Sequence, residues 1–282
     1  MQQMSPAPVK PEGELIPPLQ SDVPPPRHGS AARERSVWDP RSAPGTYILL
    51  GINIAVCLWM VAHGVDPKLP SDGALVHYGA NNTWMVLHGQ WYRLLTATFV
   101  HVGLLHLASN MWCLWNLGIL GEPLLGPMAM LAVYMVTGIA GNLLSMAINV
   151  AFTHWFRDPQ YLLEVGAGAS GAVFGIAGIL IILLSNRRLP IPWSELRRLR
   201  SSVVQFSLIN LAIGLSTMFI HVGVRIDNSA HIGGFASGLA LGVPLVPRMT
   251  SGRGRYLKRQ KATFAAACLA LALFGYWIAN LA

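Results

Sequence analysis

The chain has 282 residues, of which 53% are hydrophobic and only 11% are charged. Soluble domains are roughly one quarter charged, so this composition excludes a water-soluble globule, and its hydrophobicity excludes a disordered chain. The net charge of +8 raises nucleic acid or anionic lipid as partners, a choice that the placement of the basic residues decides.

Residues 1–44 hold 10 of the 19 prolines, among them Pro17-Pro18 and Pro24-Pro25-Pro26. Such a segment buries too little apolar surface to offset its conformational entropy, which predicts a flexible cytoplasmic tail. A Pro-rich ligand for a partner domain is the alternative reading. No apolar stretch with a cleavage site stands ahead of the tail, so no secretory signal peptide is expected.

Beyond the tail, stretches free of Asp, Glu, Lys and Arg run over 42–65, 94–121, 123–156, 165–186, 201–224, 228–247 and 262–282. A bilayer crossing takes about 20 mostly apolar residues, so seven transmembrane helices are predicted in an all-α polytopic membrane bundle. An eighth stretch, 73–92, is rich in Asn, Gln, Gly and His and is not counted. The first span is placed over 46–63. A long outer loop over 64–98 follows, whose Trp84, Trp91, Tyr92 and Arg93 suit a segment lying among lipid headgroups or an ordinary outer loop with anchoring aromatics. The second span, 103–120, is expected to end in a tight turn at Gly121-Glu122-Pro123. The third runs to 149, a loop covers 150–166, and the fourth lies within 165–186. A basic loop over 187–200 leads to the fifth span at 202–220, then to a short loop with Arg225 and Asp227. The sixth span covers 229–247. The seventh, 262–282, carries almost no polar side chains and is expected at the periphery. The domains predicted are thus a tail (1–44), a six-helix core (45–247), and a basic linker with one further crossing (248–282). The absence of an internal repeat counts against an inverted-repeat transporter.

If the chain alternates sides from a cytoplasmic N-terminus, sixteen of its twenty Lys and Arg fall on one side. Only Lys68, Arg93, Arg157 and Arg225 fall on the other. The positive-inside rule then puts the N-terminus in the cytoplasm and the C-terminus outside, in the inner membrane for a bacterial cell. Basicity encodes orientation, and nucleic acid is not expected as a partner. Cys57, Cys113 and Cys268 all fall within spans and read as small apolar fillers.

Polar groups inside spans are costly and mark function. The second span opens with His101, His106 and Asn110; the fourth with Gly166-Ala167-Gly168-Ala169-Ser170-Gly171; the sixth with Ala230-His231-Ile232-Gly233-Gly234. These three spans run in the same direction, so the three groups share one depth near the outer face. The Gly171/Gly175 and Gly234/Gly238/Gly242 spacings are small-xxx-small patterns that let helix backbones touch; packed along them, His231 would approach Ser170. Imidazole is the usual base for a serine nucleophile, so a Ser170–His231 dyad follows. Packing alone is the competing account of the glycines. Asp227, four residues before His231, is the nearest carboxylate, and is expected to be solvated instead. His106 and Asn110 lie on one helix face and could donate to an oxyanion, or else bond to loop backbone. His101 is assigned to loop structure.

The chain resembles the rhomboid intramembrane serine proteases over residues 45–247. The resemblance rests on Gly168-Ala169-Ser170-Gly171, the His106-xxx-Asn110 pair and Ala230-His231-xx-Gly234-xxx-Gly238, in this order. It implies a six-helix core, Ser170 as nucleophile, His231 as base, and His106 and Asn110 in the oxyanion hole. Tyr92-Arg93 resembles the family's Trp-Arg pair, and Phe174 stands where many relatives have Tyr, able to stack on His231 but not to donate a hydrogen bond. The seventh span resembles that of members with one extra C-terminal crossing. The substrates implied are membrane proteins cut in or beside a transmembrane segment, with no cofactor and no metal. A client-binding relative without activity is the second reading. A transporter or channel using His101, His106 and His231 is the third. A zinc protease is disfavoured because His-Glu-x-x-His is missing.

Overall fold

The computed structural model describes residues 41–216, 226–246 and 252–281. The Pro-rich segment 1–40, Arg225, Arg248 and the end of the fifth span at 217–220 lie outside the described residues. The fold is an all-α polytopic bundle. Among the described residues seven helices are long: α1 (Pro44–Ala62), α5 (Leu104–Leu125), α6 (Pro127–Phe156), α7 (Ser170–Leu183), α8 (Trp193–Ser216), α9 (Asn228–Leu245) and α10 (Arg253–Ala279). Three short ones, α2 (Asp72–His77), α3 (Thr83–Leu87) and α4 (Arg93–Thr96), lie between α1 and α5.

Among the described residues four helices, α1, α6, α8 and α10, are long and apolar enough to cross a membrane. The remaining long helices, α5, α7 and α9, are shorter or more polar, and they carry the motifs. At about 1.5 Å per residue, the 14 residues of α7 cover only about 21 Å of a hydrocarbon core about 30 Å thick. One end of α7 therefore stops inside the bundle. Every residue from Gly171 to Leu180 is buried, which a continuous apolar run of this kind permits only at the centre of the helices.

The second span does not end in a turn at Gly121-Glu122-Pro123. Helix α5 continues to Leu125 with Pro123 inside it, and the chain reverses at Gly126 (φ 87°) before Pro127 opens α6. Glu122, 2% exposed, explains the difference. Its carboxylate accepts from the Gly45 and Thr46 N–H groups (2.8 and 2.7 Å) and from the Thr46 hydroxyl (2.7 Å). The two N–H groups are orphan donors of the first turn of α1, so a carboxylate at the end of one helix caps the start of another. Glu122→Ala leaves three buried donors unanswered and is expected to cost about 3 kcal/mol or more, read as a lowered thermal transition of the purified protein.

Other boundaries also shift. Helix α6 extends through Phe156, so the loop placed over 150–166 is shorter and includes a 3-10 turn, Pro159–Leu163. The basic loop over 187–200 is half helical, since α8 already begins at Trp193. The loop over 64–98 is folded, with three short helices inside it. Its Trp84, Trp91 and Tyr92 are exposed, but Arg93 is 6% exposed. Arg93 donates to the carbonyls of Val76 (2.6 Å) and Ala80 (3.0 Å) and to Gln90 (2.7 Å). It fastens the loop from within.

A two-residue antiparallel pair, β1 (Asn81–Asn82) with β2 (Val165–Gly166), joins that loop to the segment just ahead of α7. Helix α10 packs against α6 and α9 with only Gln260, Gly275 and Ile278 buried.

Candidate active site

Between lipid-embedded helices apolar burial supplies little net attraction, so close backbone contact and dispersion must hold them. The α7–α9 pair meets this demand. A Cβ built on Gly234 would strike the Gly171 carbonyl oxygen, and one on Gly238 the Gly175 carbonyl oxygen. The two contacts repeat at four-residue intervals on both helices and fix one register. Ala230 and His231 of α9 then sit level with the first turn of α7.

Ser170 is the first residue of α7. The stretch before it is not helical, contrary to the expectation that the fourth span opens at Gly166. Val165–Gly166 pair with β1, the Gly168 N–H donates to the Ala97 carbonyl (2.9 Å), and Gly168 adopts φ 134°. The His106 ring lies against Gly168, where a Cβ would come within 2.6 Å of Cε1, so both the backbone angle and the space require glycine.

His231 is 5% exposed, and its ring stacks on that of Phe174 with centroids 4.3 Å apart and planes 16° from parallel. Phe174 is four residues after Ser170, hence on the same face of α7. The stack therefore lays the imidazole along the helix face that carries the hydroxyl. Nδ1 of His231 is buried without a hydrogen-bond partner, and among the described residues no hydrogen bond joins His231 to Ser170. Catalytic hydrogen bonds are commonly loose before substrate arrives.

Asp227 is not the solvated carboxylate expected. One oxygen caps α9 by accepting from the Ala230 N–H (3.0 Å), and the other accepts from the Ser145 hydroxyl on α6 (2.5 Å). Both oxygens hold the start of α9 rather than the imidazole ring. Helix capping explains the placement: the first N–H groups of α9 need acceptors, and a buried neighbour on α6 completes the carboxylate.

His106 and Ser170 border one cavity of about 410 Å³, together with Gly168, Asn142, Asp227 and Ala230. Nδ1 of His106 accepts from the Val102 N–H at 3.3 Å, so the neutral ring carries its proton on Nε2, the nitrogen beside Gly168. Asn110 is buried and donates to the His106 carbonyl (2.9 Å) one turn earlier on α5; it does not border the cavity with Ser170. The structure thus sets His106 and Ser170 on one cavity and stacks His231 on Phe174; Asn110, His231 and Phe174 are not among that cavity's lining residues.

His101 bonds to the Phe99 carbonyl through Nδ1 (3.2 Å) and accepts from the Ala169 N–H through Nε2 (3.4 Å). One tautomer, protonated on Nδ1, serves both contacts, tying the loop ahead of α5 to the residue before Ser170. Tyr134, wholly buried on α6, donates to the Thr98 carbonyl (2.8 Å) and fixes the same loop. Asn142 and Ser145 escaped the sequence reading. The signal was available, because both are polar residues three apart within an apolar span. Among the described residues no three His, Cys, Asp or Glu side chains gather as metal ligands would.

The chain also has relatives. It is 31% identical over 216 residues to the rhomboid protease GluP of Bacillus subtilis, covering 75% of this chain and 37% of that protein. It is 29% identical over 210 residues to the rhomboid protease AarA of Providencia stuartii, covering 71% of this chain and 72% of the relative. Rhomboid-like protease 2 of Toxoplasma gondii is 26% identical over 224 residues, 76% of this chain and 72% of its own. The chain spans little more than a third of the Bacillus protein and about seven tenths of the other two. Residues 88–248 match the Rhomboid domain. That segment holds α4 through α9, including the packed pair α7–α9 and His106, Asn110, Ser170, Phe174 and His231, and it makes this multi-pass integral membrane protein a member of the rhomboid family.

Proposed function

We propose that the chain is an intramembrane serine endopeptidase that cuts membrane proteins in or near their spanning segments. The observation that carries the reading is the His231–Phe174 stack, one helical turn from a serine that borders a cavity shared with His106, Asn142 and Asp227. The family's named proteases support it.

In this reading His231 takes the Ser170 hydroxyl proton as Oγ attacks the scissile carbonyl carbon. The oxyanion that forms receives hydrogen bonds from the Ser170 N–H and from Nε2–H of His106, which is free of its helix because Nδ1 already accepts from Val102. Asn110 serves the same hole only after a rotation that releases the His106 carbonyl. His231 returns the proton to the leaving amine, and water then hydrolyses the acyl-enzyme by the reverse route. Phe174 holds the ring by stacking, in the place where a third, carboxylate member would otherwise orient it. The working unit is a dyad, since both oxygens of Asp227 are engaged elsewhere.

The proposed topology has a cytoplasmic N-terminus, a Pro-rich tail (1–44), a six-helix catalytic core (45–247) and a basic linker with one further crossing (248–282). Labelling by a fluorophosphonate tests the activity directly. Labelling of the wild-type protein, lost in Ser170→Ala, is expected; a folded wild-type protein that takes no label would instead be the client-binding relative.

A further inference from the structure

The end of the bundle away from Ser170 is strongly basic and holds a built cluster. Helices α5 and α7 both begin beside the cavity and run away from it, so Leu125 and Leu183 mark this far end. Residues 187–200 follow α7 there and carry five arginines against one acid, Glu195. Glu195 is occupied by Arg198 (2.6 Å). Three of the other arginines converge on a single indole: the guanidinium carbons of Arg187, Arg197 and Arg200 lie 4.5, 5.7 and 5.7 Å from the centre of the Trp193 ring.

Cation–π attraction accounts for one guanidinium on each face of an indole. It does not account for three, because two must share a side and repel. All three lie close enough together for salt to screen them incompletely, given a screening length of about 8–10 Å. The chain itself is organised to impose this crowding. Pro190 and Pro192 restrict the turn that folds Arg187 back over Trp193, Leu189 and Leu196 are buried beneath it, and Arg200 is steadied by the Ser185 hydroxyl (3.1 Å). Held like charges of this kind call for an anion. The surroundings name its class: Trp193 is half-buried at a helix end of an integral membrane protein, the level of lipid phosphates, where indoles and guanidiniums gather. Guanidinium forks match phosphate oxygens in pairs.

We propose that Arg187, Arg197 and Arg200, gathered round Trp193, bind the phosphate of an anionic phospholipid in the leaflet that meets this end of the bundle. The site depends on membrane embedding alone and not on the peptidase reading.

The test is native mass spectrometry of the full-length protein released from mixed micelles of phosphatidylcholine and phosphatidylglycerol. Wild-type protein is expected to retain phosphatidylglycerol selectively. The triple variant Arg187→Gln/Arg197→Gln/Arg200→Gln is expected to lose that retention by about tenfold or more. The charge-matched variant Arg253→Gln/Arg255→Gln/Lys258→Gln, at the start of α10, is expected to keep it. Equal retention in the first variant overturns the site, and equal loss in both reduces it to bulk charge. Displacement of the lipid by inorganic phosphate alone would make it a site for free phosphate instead. Should the triple glutamine variant fail to fold, the triple lysine variant preserves charge but not the fork; it is expected to lose selectivity several-fold, and unchanged selectivity there also overturns the proposal.

Discussion

Ser170→Ala and His231→Ala are each expected to lower cleavage of a transmembrane substrate by about ten-thousand-fold or more. The double variant is expected to be no worse than either single one. This non-additivity is the sharper part of the prediction, because a nucleophile and its base act as one unit and the loss of either removes the whole contribution. The stability readout should differ between the two. Ser170 is half-buried at the start of α7, so removing its hydroxyl is expected to move stability within about 0.5 kcal/mol. His231 is buried and stacked on Phe174, and truncation there leaves a void beside a packed ring, at a cost of about 1–3 kcal/mol. Cleavage assays on purified, reconstituted protein, with thermal unfolding alongside, measure both. Full cleavage by either single variant would remove the dyad.

Gly238→Val is expected to be the most damaging substitution outside the site. Its new side chain would meet the Gly175 carbonyl oxygen, which is backbone and cannot swing aside. The α7–α9 pair must separate, at about 3 kcal/mol or more, and the His231 ring leaves its register with Phe174. Stability and activity should fall together. A graded series makes the claim stricter. The atoms nearest a Cβ at Gly242 belong to the Ile182 side chain, its Cβ at 2.6 Å, rather than to backbone, and one at Gly254 meets nothing within 4 Å. Alanine should therefore cost most at 238, less at 242, and nothing at 254, where it gains helix propensity. Thermal unfolding of the three alanine variants orders them, and equal effects at 238 and 254 would show that α7 and α9 do not pack as described.

The same contacts explain how far the sequence could be read. Apolar runs located the long helices because a crossing must bury its backbone and expose apolar side chains, a property of composition. Boundaries were read less well wherever a polar residue had a distant partner. Glu122 looked like the start of a turn because nothing local could show that Gly45 and Thr46 would supply its donors. Asp227 looked solvated because Ser145, some eighty residues away, was not yet beside it. Arg93 gave no local sign that the carbonyls of Val76 and Ala80 would accept from its guanidinium.

What the sequence determined by itself was the class of the molecule and the order of its long helices, because hydropathy and small-residue spacing are carried by each segment alone. Tertiary structure decided the rest. It stacked His231 on Phe174, turned Nε2 of His106 toward Gly168, tied Asn110 to the His106 carbonyl and gathered three arginines on Trp193. The reason is physical: directional contacts such as hydrogen bonds and ring stacks depend on where two separate segments lie to within fractions of an ångström, and only the packed backbones supply that position.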